Sequence, residues 1–268
     1  MRNIRLARLF NRDERAVIVA MDHALFEGPI EGMIDLAETA RRVAPCVDGI
    51  LLSPAMLPYT SHAFDYKGAP MVVVRLNWST TYCFTWHYKE AATVPAFRPA
   101  EALRLGADVV LVSLTLETGN EHTDAQNVAV FRELCAEAKQ LGLPVVGEYF
   151  PVDAENLTPE QLQPSVYRGA RIISELGADL IKTFYTPNFR AVTKSCPVPV
   201  LGLGAARLPT QLAALRLAAE EVAAGAGGVV FGRNALQVPN PIAFQEALCD
   251  VVKRGVRPEE AVNNHHLE

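Results

Sequence analysis

Short runs of Val, Ile and Leu recur along the chain, each followed by a longer stretch of mixed apolar and polar residues. Eight such runs stand out: Val17–Asp22, Asp48–Ser53, Met71–Leu76, Asp108–Leu114, Pro144–Tyr149, Ala178–Thr183, Val198–Leu203 and Gly228–Gly232. They are apolar almost throughout rather than alternating, which is what a parallel strand covered on both faces requires. The stretches between them carry a helical period. In Thr123–Leu141, the residues Ala125, Val128, Ala129, Phe131, Leu134, Cys135, Ala138 and Leu141 fall close to one helix face. Leu208–Ala224 is dense in the strong helix formers Ala, Leu and Glu. Gly106, Gly142, Gly177 and Gly225 stand between a helical stretch and the next run, where a helix C-terminus favours positive φ.

The entries to three runs nearly repeat: Leu105-Gly-Ala-Asp-Val-Val, Leu176-Gly-Ala-Asp-Leu-Ile and Ala224-Gly-Ala-Gly-Gly-Val-Val. Eight strand–helix units in one α/β chain predict a single-domain (β/α)8 TIM barrel. A doubly wound open sheet is the structural alternative. It expects G-x-G-x-x-G after its first strand, where this chain has Asp22-His23-Ala24. Met56–Ala69 and Val152–Pro164, rich in Pro, Ser, Asn and Asp, read as irregular loops after strands two and five. The first twelve residues carry Arg2, Arg5, Arg8 and Arg12 and read as a short basic amphipathic helix. No apolar segment or small-residue cleavage site of a secretory signal follows. From about residue 262, through His265 and His266, the chain reads as a frayed tail.

Composition narrows the classes. Half of the 268 residues are apolar, enough for a sizeable core and against wholesale disorder. Lys and Arg number 25 against 30 Asp and Glu, with no block of like charge, which argues against nucleic acid or an anionic membrane as partner. No apolar run reaches the length of a membrane span. Five scattered cysteines make no disulfide framework and fit a reducing cytoplasm.

In a barrel, reactive residues sit at the C-terminal ends of the strands. Lys182 ends an otherwise apolar run. Such a lysine is desolvated, paired with a carboxylate or used; desolvated, it is a free nucleophile that can form a Schiff base with a carbonyl substrate. The bland reading is a lysine snorkelling to the rim. Asp22 and Tyr149 end strands one and five and would supply an acid/base pair around an imine. Taken singly, Asp22 reads as a helix cap and Tyr149 as a rim aromatic. The loops after strands seven and eight, the usual phosphate position in such barrels, carry Gly202, Gly204, Arg207, Gly232 and Arg233. Backbone amides at the glycines and the guanidinium fork of Arg233 suit a phosphate, with turn glycines and a surface arginine as the alternative. His23 is placed to hydrogen-bond substrate. Glu117 and Glu148 read as supporting carboxylates or as solvated rim residues. His87 reads as packed in a loop, and Cys196 as a structural thiol. The histidines and cysteines show no metal-ligand spacing, so no metal is expected.

Met21-Asp-His with Gly28-Pro-Ile, Gly177-Ala-Asp-Leu-Ile-Lys-Thr-Phe-Tyr-Thr, Cys196-Pro-Val-Pro-Val and Gly227-Gly-Val-Val-Phe-Gly-Arg-Asn-Ala-Leu-Gln resemble the DeoC/LacD-type class I aldolase family, from Arg5 to about Ala261. That family includes archaeal-type fructose-bisphosphate aldolases, aminodideoxyheptulosonate synthases and the autoinducer-2 phosphate thiolase. The resemblance implies that Lys182 is the Schiff-base lysine, Asp22 a proton acceptor and Tyr149 a proton donor. It also implies phosphate binding at Gly204, Gly232 and Arg233, no cofactor, and a homo-oligomer. The expected activity is a class I aldolase acting on a phosphorylated ketose, fructose-bisphosphate-aldolase-like. The alternatives are a transaldolase or synthase of the aminodideoxyheptulosonate type, a thiolase of the autoinducer-2 type, and a non-catalytic sugar-phosphate-binding barrel. Four departures bear on the substrate. The family's D-H-G reads Asp22-His23-Ala24. Its Y-P-R-G reads Tyr149-Phe150-Pro151-Val152 with an apparent insertion. Its G-G-x-K reads Gly204-Ala205-Ala206-Arg207, and Asn77-Trp78-Ser79-Thr80 has no counterpart.

Overall fold

Each of the eight apolar runs forms a strand, and the eight close into a parallel barrel. The structure is a computed structural model and describes residues 4–10, 15–88 and 90–267. In chain order the strands are β1 (Ala16–Ala20), β2 (Gly49–Leu52), β3 (Met71–Arg75), β4 (Asn77–Ser79), β5 (Thr93–Pro95), β6 (Val109–Leu114), β7 (Val145–Tyr149), β8 (Leu180–Phe184), β9 (Val200–Leu203) and β10 (Gly228–Phe231). The barrel order is β1-β10-β9-β8-β7-β6-β3-β2, closed from β2 to β1, while β4 and β5 form a separate antiparallel pair. The expected (β/α)8 TIM barrel is therefore the fold.

The continuous apolar runs follow from burial on both faces. Outward side chains such as Val17, Val19, Val145 and Ile181 pack under the surrounding helices. Inward ones fill the barrel: Ala16, Ile18 and Ala20 on β1, Leu51 on β2, Met71 and Val73 on β3, Val109 and Leu111 on β6, Val146 on β7, Leu180 on β8, Leu201 on β9 and Val230 on β10. The N-terminal helix Ile4–Phe10 closes the bottom, with Leu9 fully buried in this inner cluster and Leu6 and Phe10 packed against it. Arg5 and Arg8 of the expected basic helix lie on it; Arg2 and Arg12 lie outside the described residues.

Strand residues two apart share a face, and this carries the inward rows into a polar layer. Arg75 follows Val73, Ser113 follows Leu111, Glu148 follows Val146 and Lys182 follows Leu180. Asp22, two past Ala20, joins the same level just beyond β1, and all five are buried.

Several segments expected to be irregular are ordered. Met56–Ala69 contains a helix, Leu57–Thr60, flanked by 3-10 turns. The helix Pro159–Glu175 begins inside the second expected loop and takes Pro164 into it. The Thr158 hydroxyl accepts from Gln161 N–H while the Gln161 side chain accepts from Thr158 N–H, so a reciprocal cap starts the helix there. Asn77-Trp78-Ser79, without counterpart in the family pattern, forms strand β4. Asn77 is fixed to β6 by Nδ2 donating to Ser113 O and by Oδ1 accepting from Ser113 N–H, both at 2.9 Å. The tail does not fray from 262: the helix Pro258–Asn264 continues through it, and His265 Nε2 meets Asp250 Oδ2 at 2.9 Å. The final Glu268 lies outside the described residues. No described helix is long and apolar enough to cross a membrane.

One buried acid belongs to this outer packing. Glu221, on the helix Gln211–Ala223, is fully buried, and neither carboxyl oxygen has a hydrogen-bond partner. It lies over Gly202 of β9, where a Cβ would fall 2.1 Å from its Cδ. Burial, helped by Glu220, holds its pKa well above the usual carboxylate range. The folded chain therefore keeps a proton that the unfolded chain releases, and stability falls as pH rises through that interval, by up to about 1.4 kcal/mol per pH unit. Glu221→Gln should flatten this slope and raise the melting temperature at neutral pH. Unfolding curves between pH 5 and 8 check it; an unchanged slope with a lower melting temperature would contradict it.

Candidate active site

The polar layer at the top of the barrel interior is a chain of alternating charges. Lys182 Nζ on β8 lies 2.5 Å from Glu148 Oε1 on β7, its register partner. Arg75 at the end of β3 donates through Nη2 to Glu148 Oε2 and through Nε to Asp22 Oδ2, each at 2.5 Å. The Tyr82 hydroxyl donates to Glu148 Oε2 at 2.8 Å. The Arg75 guanidinium lies between two rings, 5.2 Å from the centroid of Phe26 and 4.8 Å from that of Tyr82. Its Nη1 is buried without a hydrogen-bond partner.

Electrostatics follow the geometry. Burial acts to raise the pKa of Asp22, but Arg75, Lys182 and His23 outweigh it and bring it to about 2. Glu148 is likewise pulled below the usual range, against its burial, by Arg75 and Lys182. Burial and the Glu148 carboxylate push the Tyr82 phenol well up, so it remains a proton donor. Burial, reinforced by Arg233, Lys182 and Arg75 and opposed by Asp22, lowers His23 to about 4, leaving it neutral at pH 7.

This layer floors a cleft that opens to solvent. Phe26, Tyr82, Phe84 and Phe150 form an aromatic wall, and Glu27, Glu155, Ala205, Gly232 and Arg233 stand at the outer end. Among the described residues, no group of three or more His, Cys, Asp or Glu is placed to hold a metal ion.

Of the expected residues, Lys182, Asp22 and His23 line the cleft. Asp22 does not cap a helix through its side chain; its carboxylate is turned to Arg75. Tyr149 does not reach the cleft. It follows Glu148 on β7 and so faces outward, where its hydroxyl meets Ser165 Oγ at 2.9 Å. Its ring fills the space over Gly169, where a Cβ would fall 2.2 Å from Tyr149 Cζ. Burial pushes its pKa up to about 12. The aromatic residue of this segment that lines the cleft is Phe150, immediately before Pro151, and it carries no hydroxyl.

The expected phosphate residues divide. Gly204, Gly232 and Arg233 line the cleft. Gly232 leaves room for His23: a Cβ there would fall 2.4 Å from His23 Cε1. Gly202 is a ladder residue whose open side faces Glu221. Arg207 is exposed and lies on a separate depression beside Leu208 and Thr210. Ala205 adopts φ +50, the left-handed region that favours glycine. Arg233 Nη2 donates to Glu155 Oε1 at 3.0 Å and to Ala205 O at 3.2 Å. Glu117 pairs with Arg168, outside the cleft.

Arg75, Tyr82 and Glu155 were not singled out from sequence. Arg75 carried the same signal as Lys182, a cation ending an apolar run. The place of Glu148 was readable from its two-residue spacing to Val146. Tyr82 and Glu155 come from excursions without periodicity, and nothing in the sequence marked them.

The chain is similar to known proteins over most of its length. The model of the DeoC/LacD family aldolases matches residues 16–238. An uncharacterised aldolase of Saccharolobus solfataricus is 30% identical over 264 residues, covering 97% of both chains. A 2-amino-4,5-dihydroxy-6-oxo-7-(phosphonooxy)heptanoate synthase of Streptomyces griseus is 28% identical, over 94% of this chain and 90% of its own. An archaeal fructose-1,6-bisphosphate aldolase, with its catalytic Lys covalently bound to the carbinolamine intermediate of the substrate, superposes with a TM-score of 0.78 at 26% identity, over 94% of this chain and 99% of that one.

The two tyrosines are separable by experiment. Tyr149→Phe should leave turnover within about twofold and lower stability by about 1 kcal/mol through the lost Ser165 contact. Tyr82→Phe should lower turnover by about a hundredfold if its hydroxyl serves proton transfer. Steady-state assays beside urea unfolding of both variants check this; the reverse ranking of the two turnover numbers would return the catalytic phenol to Tyr149.

Proposed function

The chain belongs to the DeoC/LacD aldolase family, and from that premise we propose that it is a class I, Schiff-base aldolase that cleaves or forms a carbon–carbon bond in a phosphorylated ketose. One observation carries this reading: Lys182 Nζ stands at the floor of the cleft, 2.5 Å from the Glu148 carboxylate, with the Asp22 carboxylate held at the same level by Arg75. The similar archaeal aldolase, whose catalytic lysine carries a carbinolamine, supports the same chemistry here.

In the cleavage direction the Lys182 amine adds to the ketone carbon, after passing its ammonium proton to Glu148. The carbinolamine takes up a proton at its hydroxyl, loses water and becomes a protonated imine. A carboxylate then removes the proton of the hydroxyl on the far carbon of the bond to be broken, the carbon β to the imine. That bond breaks, an aldehyde leaves, and the electron pair is drawn into the imine as an enamine. Asp22 lines the cleft in its ionised form, held by Arg75, and is the carboxylate placed to accept that proton. Protonation of the enamine carbon and hydrolysis return the second carbonyl product and free Lys182. The Tyr82 hydroxyl, held on Glu148, serves as the donor side of these transfers. At the outer end Arg233 is the cation that a substrate phosphate would meet, and it is already shared with Glu155. The similarity to the Streptomyces synthase favours a second reading on the same lysine, in which the enamine attacks an acceptor carbonyl and a new ketone is made.

Incubation with dihydroxyacetone phosphate and borohydride should add the mass of the reduced donor to Lys182. Lys182→Met should take up none. An adduct on another lysine, or none with any ketose phosphate tried, would remove the imine mechanism and leave a sugar-phosphate-binding barrel.

A further inference from the structure

The outer end of the cleft is not the open anion site that a phosphorylated substrate calls for. Glu155 Oε1 already answers Arg233 Nη2 at 3.0 Å, with both side chains about four-fifths buried. The turn that carries Glu155 is held in place: Ala154 is buried, Asp153 takes φ +56, and Asn156 Nδ2 donates to Asp153 Oδ1 at 2.6 Å. Glu27 lines the same end. Burial, with Glu155 adding to it and Arg233 opposing, raises its pKa, as expected where carboxylates crowd one cation. Four carboxylates line the whole cleft, Asp22, Glu27, Glu148 and Glu155, against three cations, Arg75, Lys182 and Arg233. The two pairs on the floor neutralise one another, so the imbalance falls at the outer end, around Arg233.

We propose that Glu155 is a specificity-determining residue: it pairs with Arg233 in the place of a substrate phosphate and so reduces the preference for phosphorylated over hydroxyl-ended carbonyl substrates. A phosphate reaching Arg233 must displace the Glu155 carboxylate or lie beside it as a like charge. A sugar hydroxyl meets no such penalty, because it donates to Glu155 and accepts from Arg233. The inference deepens the aldolase reading and rests on it for the identity of the substrate. The competition between Glu155 and phosphate for Arg233 is a binding event that does not need the chemistry.

Glu155→Gln removes the competing charge, keeps the shape, and changes a part-exposed residue outside the core. Calorimetric titration with inorganic phosphate should give a dissociation constant lower by about tenfold or more than that of the unaltered protein, the scale of one charged hydrogen bond released. In aldol addition to a common aldehyde, the ratio of kcat/KM for dihydroxyacetone phosphate to that for dihydroxyacetone should rise by a similar factor. Arg233→Ala in the same background should abolish both gains. Unchanged phosphate binding would overturn the proposal, and weaker binding would overturn it by showing that Glu155 orients Arg233 for phosphate. Should borohydride trap nothing in either protein, the aldolase reading falls, while the phosphate titration still decides the role of Glu155.

Discussion

The structure turns on how two carboxylates and two cations are kept together, buried at the top of a barrel. Burying an isolated charge costs several kcal/mol, so each member of the layer Asp22, Arg75, Glu148 and Lys182 is tolerable only with its partners in place. Arg75 is the member on which the arrangement depends. It bridges both carboxylates at 2.5 Å and is held between the rings of Phe26 and Tyr82. By fixing Asp22 and Glu148 as ionised acceptors, it sets the surroundings of the Lys182 amine. A lysine among apolar residues alone would lack any group to exchange protons with.

The barrel and its loops divide the work. Strand parity places the charged layer, because the inward positions filled by Ala20, Val73, Val146 and Leu180 become Asp22, Arg75, Glu148 and Lys182 one pleat higher. Rigid strands hold that layer from all sides. The substrate-facing wall comes instead from excursions. The β4–β5 segment is fixed to β6 by Asn77 and to the helix Ala24–Glu27 by Trp78 Nε1 donating to Leu25 O at 3.2 Å. It carries Tyr82 over the mouth, where its ring packs 4.5 Å from that of Phe150. The turn after β7 brings Glu155 to Arg233 from the far side. The proposed imine chemistry thus rests on strand residues, and the proposed choice of substrate terminus on loop residues.

The case of Tyr149 shows how a strand-end motif can mislead by one residue. Glu148, Tyr149 and Phe150 are consecutive, and a one-residue shift moves a side chain to the opposite face of a strand. Glu148 meets Lys182 in register, Tyr149 turns out to Ser165, and Phe150 returns to the cleft. The phenol that contacts the charged layer is Tyr82, from another part of the chain. Gly202 is a similar case, a glycine retained for the close approach of Glu221 rather than for an anion.

The sequence by itself determined the barrel, since eight apolar runs with helical stretches between them leave few other ways to bury both faces of each strand. It also pointed to the candidate site, because Lys182 and Asp22 close apolar runs and both line the cleft. Local parity would further have separated Glu148 from Tyr149. Only the tertiary structure decided which groups meet across strands and loops. Arg75 and Glu148 lie 73 residues apart, and so do not share any local pattern. Glu155 and Arg233 lie 78 apart and come from loops whose paths no periodicity specifies. Contacts of that kind are set by barrel closure and by the packing of excursions against one another, which is why the fold could be read along the chain and the full site could not.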